Sequence, residues 1–231
     1  ANVPNYVDQI NKDPKKLKVG IIKESLGEGT DKKIVDQIES LASSLNADKV
    51  SLPLTNKYGV SAYYLLAMSE ASTNLAKYCG MRYGQHEKLE GSFNEYFTDV
   101  RSKNFNQEAK RRIIIGTFAR MAGYRDAYYL KATKVRTKII GEYKKLFKKY
   151  DILLSPTMPI TAPTFKEIEK LSPLQNYMMD IMTVGPNIAG LPHLNIPIKN
   201  KLPIGALLIS DHLEESKLLT LANHLKWKNK Y

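Results

Sequence analysis

LKVGIIKESLGEGTDKKIVDQIESLASSLNADKVSLPL, residues 17–54, changes its hydrophobic period twice, and those changes set the fold class. LKVGII (17–22) is a short β-branched run and reads as a strand. Thr30 and Asp31 then read as the cap of a helix. Its apolar positions Ile34, Val35, Ile38, Leu41, Ala42 and Leu45 recur at the 3.6-residue period. DKVSLPL (48–54) reads as a second strand. Strand, amphipathic helix and strand make a βαβ unit, which implies parallel pairing with a right-handed crossover.

The remaining chain extends that arrangement. Residues 1–16 read as a polar lead-in and 61–78 as a helix. That helix carries the small residues Ser69, Ala71, Ser72, Thr73 and Ala76, which implies close approach of another backbone, expected from a part of the fold outside this stretch of sequence. Residues 85–105 read as loop with short helical pieces, and 107–122 and 124–149 as two long helices joined at Gly123. DILLSPTMP (151–159) reads as a buried strand ended by prolines. Pro173 opens a helix, PLQNYMMDIMTV, expected to stop before Gly185-Pro186. HLNIPI (193–198) and LPIGALLIS (202–210) read as strands joined by a tight turn at 199–201. Asp211 and Glu214 have the spacing of a capping box for a last helix. The class is α/β, a mixed sheet flanked by helices, with no repeat and no internal domain boundary over residues 1–231.

Composition narrows the function. The chain has 231 residues, 43% of them hydrophobic, which supports a substantial core. No apolar run is long enough for a membrane span, no secretion signal is read at the N-terminus, and a single cysteine fits a reducing compartment. A cytoplasmic location is expected. The 35 basic and 23 acidic residues give a net charge of +12. It reads as a lysine-rich solvated surface, with a general attraction for RNA as the second reading.

Spacing alone reveals no reaction. His86, His193, His212 and His224 lack metal-ligand spacing, and phosphate-loop, dinucleotide-binding and nucleophile-elbow motifs are absent from the sequence. Cys79 has no recognisable activating base beside it.

A longer pattern does identify a family. YGVSAYYLLAMSEASTNLAKYCGMRYG (58–84) resembles the A subunits of glutamyl-tRNA(Gln) amidotransferases, a branch of the amidase-signature enzymes. The likeness continues in EAKRRIIIGTFARMAGYRDAYYLKATKVRTKI (108–139), KKYDILLSPTMPITAP (148–163) and PLQNYMMDIMTVGPNIAGLPHLNIPI (173–198). The resemblance implies the C-terminal half of that fold. The family's catalytic lysine and two serines belong to a Gly/Ser-rich half with no counterpart here, so this chain supplies no catalytic residue and is expected to be inactive alone.

The same resemblance implies a glutaminase. Glutamine is hydrolysed through an acyl-enzyme, and the ammonia passes to a partner that converts Glu-tRNA(Gln) to Gln-tRNA(Gln). The implied partners are the B and C subunits of the amidotransferase, the N-terminal amidase half, and Glu-tRNA(Gln) held mainly by the partner subunit. The use of ATP and Mg belongs to that partner, so no cofactor is expected in this chain. The alternatives are another amidase-signature hydrolase or a non-catalytic basic scaffold.

For substrate binding, the resemblance places a cation for the α-carboxylate in Lys110-Arg111-Arg112, an anion for the α-ammonium at Asp180, and a lining tyrosine at Tyr58. Arginine suits the first task because its planar fork binds a carboxylate bidentately. Neighbouring helical positions diverge by about 100°, so one arginine at most faces a pocket. Arg111 is preferred because it shares a face with Ile114, Ile115 and Phe118. Asp180 lies among Tyr177, Met178, Met179, Ile181 and Met182, where burial would demand a partner.

Overall fold

A computed structural model describes residues 3–198 and 203–228, with side chains through residue 225. In chain order the elements are α1 (Tyr6–Gln9), β1 (Val19–Ile22), α2 (Lys32–Ser44), β2 (Asp48–Val50) and α3 (Pro53–Asn74). There follow α4 (Phe93–Asn104), α5 (Gln107–Phe118), a π-helical turn (Asp126–Leu130) and α6 (Lys131–Phe147). The chain continues with β3 (Ile152–Pro156), α7 (Phe165–Ile168), α8 (Pro173–Met178), α9 (Ile181–Ala189), β4 (His193–Ile198), β5 (Ile204–Ser210) and α10 (Glu215–Lys228). Two compact units result, one of Ala1–Val60 with Arg136–Tyr231 and one of Ser61–Val135.

The first unit holds a mixed five-stranded sheet in the order β2-β1-β3-β5-β4. β1 runs parallel to β2 and β3, while β5 is antiparallel to β3 and β4. Alternation along the strands divides the core. Val19, Ile21, Ile152, Leu154, Ile204, Ala206 and Leu208 cluster with Ile34, Ile38 and Ala42 of α2 and with Leu218, Leu221 and Leu225 of α10. The alternate strand positions Ile22, Leu153, Leu207 and Ile209 are equally buried. Ile139 and Tyr143 of α6, with Val184 and Ile188 of α9, supply further buried side chains of this unit. Sealing the Tyr143 hydroxyl from water, with Glu142 alongside, pushes its pKa well above the usual tyrosine value.

The second unit is helical. Ser92 and Glu95 form a capping box that starts α4, and the bonds from Ser92 hold the Glu95 carboxyl below its ordinary pKa. Arg101 of α4 donates to the carbonyls of Leu75 (3.0 Å) and Tyr78 (3.3 Å), clamping the chain that leaves α3. α5 meets α3 backbone to backbone at Gly116, where an added Cβ would lie 1.9 Å from the Met68 carbonyl oxygen. Ser69 and Ser72 are buried beside this crossing, while Thr73 and Ala76 are exposed. Ser69 and Ser72 thus accommodate a neighbour from this same chain, where one from outside it was expected.

Several local expectations change. The strand read at 48–54 ends at Val50, because Pro53 presets the first turn of α3. The stretch read as loop at 85–105 contains the 12-residue α4. The helix opened by Pro173 breaks at Asp180 and resumes as α9, which runs through Gly185 and Pro186 to Ala189. Gly185 fits there because a Cβ would strike Thr55 Cγ2 (2.5 Å) and the Tyr143 hydroxyl (2.6 Å). Asp211 bonds to His212 instead of capping α10, which begins at Glu215. The polar lead-in carries α1, whose last turn accepts hydrogen bonds from Thr220 and Asn223 of α10. The tight turn expected at 199–201 lies outside the described residues.

Candidate substrate head-group site

Two of the expected site residues belong to the sheet unit. Tyr58 stands near the start of α3, 41% exposed, with Lys57 Nζ 5.3 Å from its ring centroid. Two carboxylate oxygens of Glu142 anchor that end of α3, accepting the Leu54 and Thr55 amides at 2.9 Å each. Asp180 precedes α9 with φ −86° and ψ 3°, and its carbonyl accepts the amides of Thr183 (2.9 Å) and Val184 (3.1 Å). A carboxylate at a helix N-terminus is favoured by the helix dipole.

The elements carrying Tyr58 and Asp180 cross one another. A Cβ on Gly59 would touch Val184 Cγ2 at 3.5 Å, and Gly185 abuts Thr55. Glycine at both positions allows the start of α3 to lie close on α9. Asp180 itself is half-buried, and of its apolar neighbours Met178 is 41% exposed.

Arg111 and Arg112 belong to the helical unit and share one carboxylate. Arg111 Nη1 and Arg112 Nε donate to the two oxygens of Glu108, the latter at 2.9 Å. Arg112 also lies 6.0 Å from the ring centroid of the buried Tyr64 and shares the packed face of α5 with Gly116 and Ala119. Arg111 lies instead along the open face, with Ile114 68% and Phe118 40% exposed. A guanidinium carries five N–H donors, so the bond to Glu108 exhausts neither arginine. The i, i+3 and i, i+4 spacing of Glu108 to the arginines was a readable signal for this pairing; nothing in the sequence pointed to Tyr64.

No cluster of three or more His, Cys, Asp or Glu side chains suited to a metal occurs among the described residues. No helix among them is long and apolar enough to cross a membrane. Within the sheet unit Asp180 offers a carboxylate at a helix N-terminus; within the helical unit Arg111 and Arg112 offer a pair of guanidinium groups held on Glu108.

Comparison with known proteins defines the class. The Amidase family model matches residues 1–219, and the chain belongs to the amidase family. It is similar to the A subunit of glutamyl-tRNA(Gln) amidotransferase from Brevibacillus brevis, with 43% identity across 96% of this chain and 47% of that protein. The solved structure of the corresponding A subunit from Thermotoga maritima aligns with a TM-score of 0.71 and 30% identity, over 96% of this chain and 45% of that one. A 6-aminohexanoate cyclic dimer hydrolase shares the fold, with a TM-score of 0.71 at 14% identity, over 100% of this chain and 49% of that one. The chain spans about half the length of the curated relatives it matches. The mixed sheet flanked by helices and the amidotransferase resemblance read from the sequence both hold.

Proposed function

We propose that this chain is part of the glutaminase subunit of a glutamine-dependent Glu-tRNA(Gln) amidotransferase, working in the cytoplasm. The observation that carries this reading is the 43% identity to the Brevibacillus brevis protein sustained over 96% of the chain. On this reading the nucleophilic serine, its serine partner and the lysine base are supplied by the other half of the amidase fold. Alone, the chain hydrolyses no glutamine.

Its part in the reaction is to hold the amino-acid head of glutamine while the side-chain amide is attacked. Asp180 takes the α-ammonium, Arg111 or Arg112 takes the α-carboxylate, and Tyr58 lines the site. The ammonia released passes to the B subunit of the amidotransferase, with the C subunit binding the pair. In bulk water ammonia would be protonated and lost as a nucleophile, which is why a closed route between the subunits is required.

The test uses the assembled amidotransferase. Asp180→Asn keeps the size of the side chain and removes its charge, leaving the ligand ammonium unpaired at a cost of about 2 kcal/mol or more. The expected result is a fall of roughly 30-fold in kcat/KM for glutamine. Amidation of Glu-tRNA with free ammonia bypasses the pocket and should be retained. Unchanged use of glutamine, or equal loss with both donors in a folded variant, would overturn the assignment.

A further inference from the structure

Lys138, Lys144, Lys145, Lys148 and Lys149 are all exposed from the middle of α6 to the turn that follows it. At about 1.5 Å rise per residue, Lys138 and Lys145 stand roughly 10 Å apart along the axis, on nearly the same azimuth. The other side of the helix is fixed in the core by Ile139 (0% exposed) and Tyr143 (2%). The lysines therefore project from a rigid element.

Their charge is uncompensated. Among the described residues none of the five forms an ion pair, whereas Lys32, Lys49, Lys103 and Lys217 each do. The carboxylates close by in sequence or fold are engaged elsewhere. Glu142 holds the start of α3, Asp151 pairs with Lys217 at 2.9 Å, and Asp48 accepts from the Tyr150 hydroxyl at 3.3 Å. A helix C-terminus favours one or two cations through its dipole, but that does not account for five.

We infer that this basic end of α6 is a docking surface for the phosphate backbone of RNA. Charge complementarity selects a polyanion, and the composition of the patch selects which one. Membrane-surface helices interleave basic and large apolar side chains. Protein interfaces need buried aromatic or aliphatic anchors. Between Tyr128 and Met158 no large hydrophobic side chain is exposed among the described residues, and Leu146, Phe147 and Tyr150 beside the lysines are half-buried, so the patch favours neither. Lysines without aromatic partners contact phosphates and leave bases unread, so the surface binds backbone without sequence preference. The choice of RNA rests additionally on the amidotransferase reading, which supplies a tRNA as the macromolecular substrate.

The test is binding of fluorescently labelled tRNA to the full chain across a range of salt concentrations. The triple variant Lys138→Gln, Lys145→Gln, Lys149→Gln is compared with a control that removes the same charge elsewhere, Lys15→Gln, Lys166→Gln, Lys170→Gln. Each phosphate contact contributes about 0.7–0.9 to the slope of log K against log salt. The first variant should flatten that slope by about 2–3 and weaken binding at least 10-fold in about 0.1 M salt, with a much smaller change in the control. Equal slopes for the two triple variants would overturn the proposal. So would tighter binding of phosphatidylserine vesicles or polyglutamate than of tRNA. Neither measurement depends on glutamine hydrolysis, so this proposal and the glutaminase reading fail separately.

Discussion

The two units solve the packing problem with different materials. The sheet unit is filled with large aliphatic side chains, and Ile152, Leu153, Leu154, Leu208 and Ile209 are all 0% exposed. The helical unit buries fewer large side chains (Tyr64, Leu66, Met68, Tyr96 and Val100), adds a close backbone contact at Gly116, and leaves much of its apolar surface outside. Ile114, Phe118, Met121, Tyr124 and Tyr128 are each 40% exposed or more, with Phe118 and Tyr124 only 4.3 Å apart between ring centroids. One unit is held by aliphatic volume throughout, and the other depends in addition on one close backbone crossing. The two should therefore respond to opposite kinds of substitution.

The largest effect is expected from removing volume in the sheet unit. Leu208→Ala should cost about 3–5 kcal/mol, because the cavity lies between β3, β4 and a helical layer that cannot collapse freely. Chemical denaturation would measure the loss, and hydrogen exchange should place it in β3 and β5. A cost below about 1 kcal/mol would show that the sheet core is looser than its burial implies.

A smaller effect of the opposite kind is expected in the helical unit. On helix propensity alone Gly116→Ala should stabilise α5 by about 1 kcal/mol. The close approach of the Met68 carbonyl reverses that sign, since a single added methyl must push α3 and α5 apart. The expected result is a net destabilisation of about 2–3 kcal/mol, with faster amide exchange in both helices. Stabilisation would mean that propensity outweighs proximity and that the contrast between the units is wrong.

The smallest effect sharpens the comparison from the outer face. Ile114 is 68% exposed, so Ile114→Ser should alter stability by no more than about 0.5 kcal/mol while raising the solubility of the chain. A loss similar to that of a core substitution, seen in the same denaturation experiment, would mean that this face packs on something.

The sheet unit was also the more legible in sequence. Short continuous apolar runs and the helical spacing of Ile34, Ile38 and Leu41 give β1, α2, β3, β4 and β5 close to their observed limits. The errors occur where two signals compete. Leu52 and Leu54 extend the pattern of β2, but Pro53 between them starts a helix. Gly185 and Pro186 look like a stop, yet the close crossing with α3 needs a glycine inside α9. In the helical unit, Ser92 and Glu95 carried a readable capping signal for α4 that the polar surroundings masked. The family pattern was legible as well. The sharing of Glu108 by Arg111 and Arg112 and the break at Asp180 depend on helix geometry, which a linear reading of charge misses.

β4 is one of the two edge strands of the sheet among the described residues, and Pro197 lies opposite Gly205 in its pairing with β5. The Gly205 carbonyl accepts the Thr157 amide on the far side of β5, so the Gly205–Pro197 pair exchanges no bonds of its own. Pro197 therefore directs its nitrogen outward, where a missing N–H costs the ladder nothing. An incoming strand would find that rim lacking one donor, so growth of the sheet by accretion of other chains is interrupted there. A proline that leaves the fold intact thereby works against fibril formation.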